Sequence, residues 1–176
     1  HLSVLTQAGV TSTQPNWRNL QFGWSLRESA NQWQDRGTPG NSRLICTLCV
    51  YEGWLYAGVF DDARDNKGRV YKLGENNEWI DCGNPDDSNS VWSLIEYKGR
   101  LYASTMRYKA SGSALPESPN MEPGGRIYRY EGDRSWSLFA EVPGSDSVAS
   151  MVVYQGKLIA MSYYTPGVYA YDEYGG

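Results

Sequence analysis

Histidine occurs once among the 176 residues, at position 1. A Ser-His-Asp triad and a histidine-ligated metal centre therefore have no residue to build on. Basic charge is not gathered anywhere: 16 Lys and Arg are scattered among 20 Asp and Glu, leaving a net charge of −4. Phosphate binding needs clustered cations, so no nucleic-acid partner is expected. No run of about 18 apolar residues exists, so no membrane span is expected. The start at His1 lacks the pattern of a signal peptide and reads as a mature or trimmed terminus. Glycine loops of the phosphate-cradling kind are absent, and no cofactor is expected. Cysteine is scarce and odd in number, with Cys46, Cys49 and Cys82. Cys46 and Cys49 lie three apart in an apolar run that reads as a strand, which points them to opposite faces. Buried free thiols are expected there rather than a disulfide or a zinc site.

What the chain does have is aromatic residues with polar tips, 14 Tyr and 7 Trp against 3 Phe. They recur in register. "CTLCVYEGWLYA" from Cys46, "WSLIEYKGRLYA" from Trp92 and "ASMVVYQGKLIA" from Ala149 align without a gap, placing Tyr51, Tyr97 and Tyr154 together and likewise Gly53, Gly99 and Gly156. Trp33, Trp79 and Trp136 each close a second shared pattern, nine residues after Trp24, Val70 and Ile127. The spacing is 46 residues from Tyr51 to Tyr97 and 57 from Tyr97 to Tyr154, so the longer unit carries an insertion.

Each unit reads as four short strands. "LICTLCVY" is a mostly apolar run, expected to be an inner strand buried on both faces, and a turn at Glu52-Gly53 returns the chain into "WLYAGVF". "RVYKL" alternates, "GENN" turns, and "EWIDC" completes the unit. Four strands per roughly 40 to 50 residues is the signature of a propeller blade. The fold expected is therefore an all-β propeller of four-stranded antiparallel blades, about four of them or an arc of a larger ring. It forms a single domain over residues 1–176, with units at about 10–41, 42–87, 88–146 and 147–176. The third aligned unit stops after "GVYAYDEY", and the apolar alternation of Leu2–Ala8 suggests that the N-terminal segment closes the last blade. Closure on itself, a homo-oligomer or the remainder of a larger chain would each relieve the exposed ends of an open array.

In such an array, function belongs on the loops that vary while their flanking strands stay in register. These are "GVFDDARDNKG", the long "STMRYKASGSALPESPNMEPGG" and "MSYYTPG", together with the inter-unit segments. They carry Asp61, Asp62, Asn89, Arg107, Tyr108, Asp146, Tyr163 and Tyr164. Carboxylates and amides bond pairs of vicinal hydroxyls, and an aromatic face covers the C–H side of a sugar ring. These eight residues are the expected ligand-binding set, with glycans or glycoproteins as partners. The adjacent pairs Asp61-Asp62 and Asp86-Asp87 raise glycoside hydrolysis as an alternative, although neighbours at a strand end point apart. No catalytic residue is assigned, and enzymatic activity is not expected. The insertion from Lys109 to Gly124 reads as a flap or a partner-contact loop. Composition leans towards an extracellular setting.

"SLIEYKGRLYAS" followed by "GRIYRYEG" and an outer-strand Trp resembles the repeats of kelch-like and sialidase-like β-propellers, over about residues 42–176. The resemblance extends to invertebrate propeller-type lectins and implies a binding module. "PGGR" at Pro123 to Arg126 matches the glycine pair of kelch blades but occurs once. The sialidase turn pattern and the Trp-Asp ending of WD40 blades are missing. No lectin motif matches residue by residue, so no family site is carried over. A protein-interaction platform within a larger extracellular protein is the competing expectation.

Overall fold

The computed structural model describes residues 34–172. The chain divides into two compact units, His1–Arg36 and Gly37–Gly176, and the structure described below belongs to the second. The proposed closing segment Leu2–Ala8, Trp24 and Trp33 lie outside the described residues.

All eleven regular elements are β-strands, and no helix occurs among the described residues. They form three consecutive antiparallel meanders. The first comprises β1 (Ser42–Tyr51), β2 (Trp54–Asp62), β3 (Val70–Leu73) and β4 (Trp79–Asp81). The second comprises β5 (Ser90–Tyr97), β6 (Arg100–Met106), β7 (Arg126–Gly132) and β8 (Ser135–Glu141). The third comprises β9 (Ser150–Tyr154), β10 (Lys157–Met161) and β11 (Val168–Tyr171). Within each, every strand pairs with the next one in sequence.

The opening hairpins are set by local chemistry. Each turns in two residues, Glu52-Gly53, Lys98-Gly99 and Gln155-Gly156, with positive φ at both positions of every pair. That is the type I′ turn, whose twist matches the flanking strands and whose second position favours glycine. A bulge interrupts β1 between Ile45 and Thr47 and β5 between Val91 and Ser93. The skipped residues, Cys46 and Trp92, are repeat equivalents, so even the irregularity recurs.

The meanders stack through two apolar cores. Between the first and second lie Tyr51, Tyr56, Val70 and Cys82 against Val91, Leu94, Leu101 and Ala103. Between the second and third lie Tyr97, Tyr102, Ile127 and Val142 against Val148, Met151, Leu158 and Ala160. Polar stitches repeat with the same register. Tyr51 Oη donates to Gly99 O at 3.5 Å, and Tyr97 Oη donates to Gly156 O at 2.9 Å. Leu94 N–H donates to Thr47 Oγ1 at 3.4 Å, and Met151 N–H donates to Ser93 Oγ at 3.3 Å. At the opposite end of the strands Phe60 pairs with Ser90, and Met106 bridges to Ser147. The first of these seams is a ladder pair, so β1–β8 form one continuous eight-stranded sheet, with the third meander a separate three-stranded one.

Burial on both faces comes nearest to holding for β5, which has a meander on either side: Trp92 and Ile95 are half-buried and Glu96 is exposed. It does not hold for β1, where Ile45, Leu48 and Val50 are exposed, nor for most of β9. Position within the stack, rather than apolar content, decides burial. The three cysteines are free, and only Cys82 is buried, with Cys46 and Cys49 half-buried. Desolvation pushes all three thiols up, which keeps them protonated and weakly nucleophilic.

Candidate functional site

The eight expected site residues fall on four repeat positions. Asp61, Arg107 and Tyr164 are equivalent, as are Asp62 and Tyr108, and Asn89 and Asp146; Tyr163 matches Phe60 and Met106. The first and third positions face each other across the seams. Asp61 N–H donates to Asn89 O at 2.8 Å, and Arg107 N–H donates to Asp146 O at 2.9 Å. The strand register thus delivers the side chains of successive loops to one end of the stack.

The second seam carries the densest polar grouping. Arg107 Nη2 lies 2.7 Å from Asp146 Oδ2, and Lys109 Nζ lies 3.8 Å from the same oxygen. The Lys109 ammonium also stands 4.4 Å from the Tyr164 ring centroid, and Lys109 N–H donates to Tyr164 Oη at 3.1 Å. Burial raises the Tyr164 hydroxyl above its ordinary value. Tyr163 meets the Tyr164 ring edge-on at 5.0 Å. Tyr108 packs on Trp92 at 4.7 Å and edge-on against Phe60 at 5.2 Å, so its ring is held between its own meander and the first.

Two cavities flank this grouping. One, of about 260 Å³, is lined by Asn89, Arg107, Tyr108, Lys109, Glu117 and Met121 among others. The other, of about 580 Å³, is lined by Lys109, Arg126, Glu141, Asp146, Tyr164 and Thr165. Lys109 borders both. Arg107 Nε is buried without a hydrogen-bond partner beside the first cavity.

Three of the eight residues have other work. Asn89 is buried and spends its amide on the backbone: it donates to Tyr108 O at 2.9 Å and Asn120 O at 3.2 Å, and accepts from Tyr108 N–H at 2.7 Å. It clamps the long loop. Asp62 is buried and accepts from Arg64 Nε at 3.0 Å, Arg64 Nη2 at 3.0 Å and the Tyr71 hydroxyl. Burial alone would push its carboxyl up, but these bonds outweigh it and lower the carboxyl to about 2. Asp61 is also buried and lies 3.6 Å from Arg43 Nη1, with neither carboxylate oxygen hydrogen-bonded. The two neighbouring acids therefore have separate partners.

Sequence reasoning passed over Lys109, Glu117, Met121 and Arg126, all of which line the cavities. Lys109, Glu117 and Met121 sit in the insertion, without repeat equivalents to mark them, and Arg126 just beyond it is the repeat equivalent of Arg69. Trp92, on β5, supports Tyr108. Asn120 ties the insertion down by donating to Asn66 O at 2.9 Å and Asp87 O at 2.8 Å.

No protein-family model and no curated protein matches the chain.

Proposed function

We propose that the chain is a non-catalytic carbohydrate-binding β-propeller, or an arc of one, whose partners are glycans or glycoproteins outside the cell. Support for the propeller reading comes from the recurrence of seam, bulge, turn and inter-sheet stitch in successive meanders, with loops gathered at one end. The observation that carries the ligand reading is the cluster at the second seam. Arg107, Lys109 and Asp146 supply charged hydrogen-bonding groups beside the Tyr108 and Tyr164 rings, around cavities of about 260 and 580 Å³. The smaller falls just below the range of about 300–1,000 Å³ usual for drug-sized ligands, which suits a single ring better than an extended chain. Asp62, ionised at neutral pH and held by Arg64 and Tyr71, is not the general acid that a two-carboxylate glycoside hydrolysis would need.

A glycan array probed with the intact chain tests this reading. Binding to a subset of sugars is expected, and Arg107→Lys and Lys109→Ala should each weaken it about ten-fold or more. No signal above background for the intact chain would overturn it. The alternative, a protein-interaction platform, draws on the insertion, which exposes Met121 and is anchored to two other loops. Deleting residues 111–119 would then abolish partner capture while leaving sugar binding unmeasurable throughout.

A further inference from the structure

The third meander presents a face whose equivalents are packed against a following meander twice over. Val152 is 55% exposed, Tyr154 61% and Val168 74%. Their counterparts in the second meander, Ile95, Tyr97 and Ile127, pack against the third, with Tyr97 at 2% and Ile127 at 0%. Counterparts in the first, Cys49, Tyr51 and Val70, pack against the second. The face is made to receive another meander.

The first meander presents the complementary half. Ile45 is 41% exposed and Leu48 58%. Their equivalents Val91 and Leu94 are buried against the first meander, and Val148 and Met151 against the second. One end of the stack thus carries the donor half of a contact made twice inside the chain, and the other end carries its acceptor half.

We infer that the exposed face of β9–β11 docks on the exposed face of β1–β2 of a second copy of this chain, head to tail. The internal contacts specify how. Tyr51 and Tyr97 each reach the hairpin glycine of the following meander, so Tyr154 bonds the carbonyl of Gly53 in the second copy. Gln155 Nε2 donates to Tyr154 Oη at 3.2 Å, which leaves the hydroxyl proton for that carbonyl. Thr47 and Ser93 each accept a backbone N–H from the following meander, so Ser150 accepts from Leu48 of the second copy. Such a contact joins two different surfaces, and it closes into a ring when the rotation permits. The inference uses the register of the repeats and is independent of which ligand the loops bind.

Light scattering on the intact chain tests it. A mass of at least twice 19.8 kDa is expected. Val168→Lys and Leu48→Lys, both at exposed positions, should each return the protein to 19.8 kDa with unchanged circular dichroism. Tyr154→Phe, which leaves the fold untouched, should weaken association about five-fold. A chain that stays monomeric at its solubility limit overturns the inference. So does loss of association in only one of the two lysine variants, which would mean like faces pairing with like.

Discussion

Asp62 gathers Arg64 and the Tyr71 hydroxyl around a carboxylate that water does not reach, with Arg69 Nε 3.9 Å away. Its pKa is about 2 in the fold against about 3.9 for a free side chain. Because the folded value is the lower one, the anion's contribution is complete above about pH 4 and is lost as the pH falls through about 2. That contribution is about 2 kcal/mol. Urea titrations should show the midpoint falling across this window in the native chain, and Asp62→Asn should be less stable at neutral pH and flatter below pH 4. An unchanged acid limb in Asp62→Asn would assign the pH dependence elsewhere. From sequence alone Asp62 and Asn89 looked like ligand groups, because a loop acid or amide looks the same whether it faces solvent or its own backbone. Only the placement of Arg64, Tyr71 and Tyr108 separates the two cases.

Among elements, the junction of β6 and β7 is tightly constrained. A Cβ on Gly124 would lie 2.5 Å from both the N and Cα of Met106, the last residue of β6 before Arg107. Gly124→Ala should cost about 1–3 kcal/mol by overpacking and displace Arg107. Thermal melting would register the first effect and glycan titration the second; an alanine variant with native affinity would show that the loop tolerates the shift. Strand order was legible at this scale, since "LICTLCVY", "WLYAGVF", "RVYKL" and "EWIDC" correspond to β1–β4 and their equivalents to β5–β11. The turn glycines were legible for the same reason, a backbone demand that few residues meet. The bulges at Cys46 and Trp92 were not, because no residue type announces a skipped pair.

For the molecule as a whole, stability in a stack with nearest-neighbour contacts is a sum of repeat and interface contributions. Leu158 is buried solely in the core between the second and third meanders. Leu158→Ala should cost about 2–5 kcal/mol, and the loss should stay local. Hydrogen exchange would then accelerate over β9–β11 while β1 and β2 keep their protection; uniform acceleration would show the stack melting as one block. The exposed ends of the array were anticipated from the incomplete last unit, whereas the matched identity of the two end faces emerged only once the burial of each repeat position could be compared. The seams have a consequence for engineering. Successive tyrosines lie 46 and 57 residues apart, yet the seam pairs Phe60–Ser90 and Met106–Ser147 are equivalent, so the surplus of 57 over 46 is spent outside the sheets. Residues 111–119, which carry none of the seam or anchoring bonds made by Arg107, Tyr108 and Asn120, are thus the natural interval in which a foreign segment can be grafted to retarget recognition without altering the pitch of the scaffold.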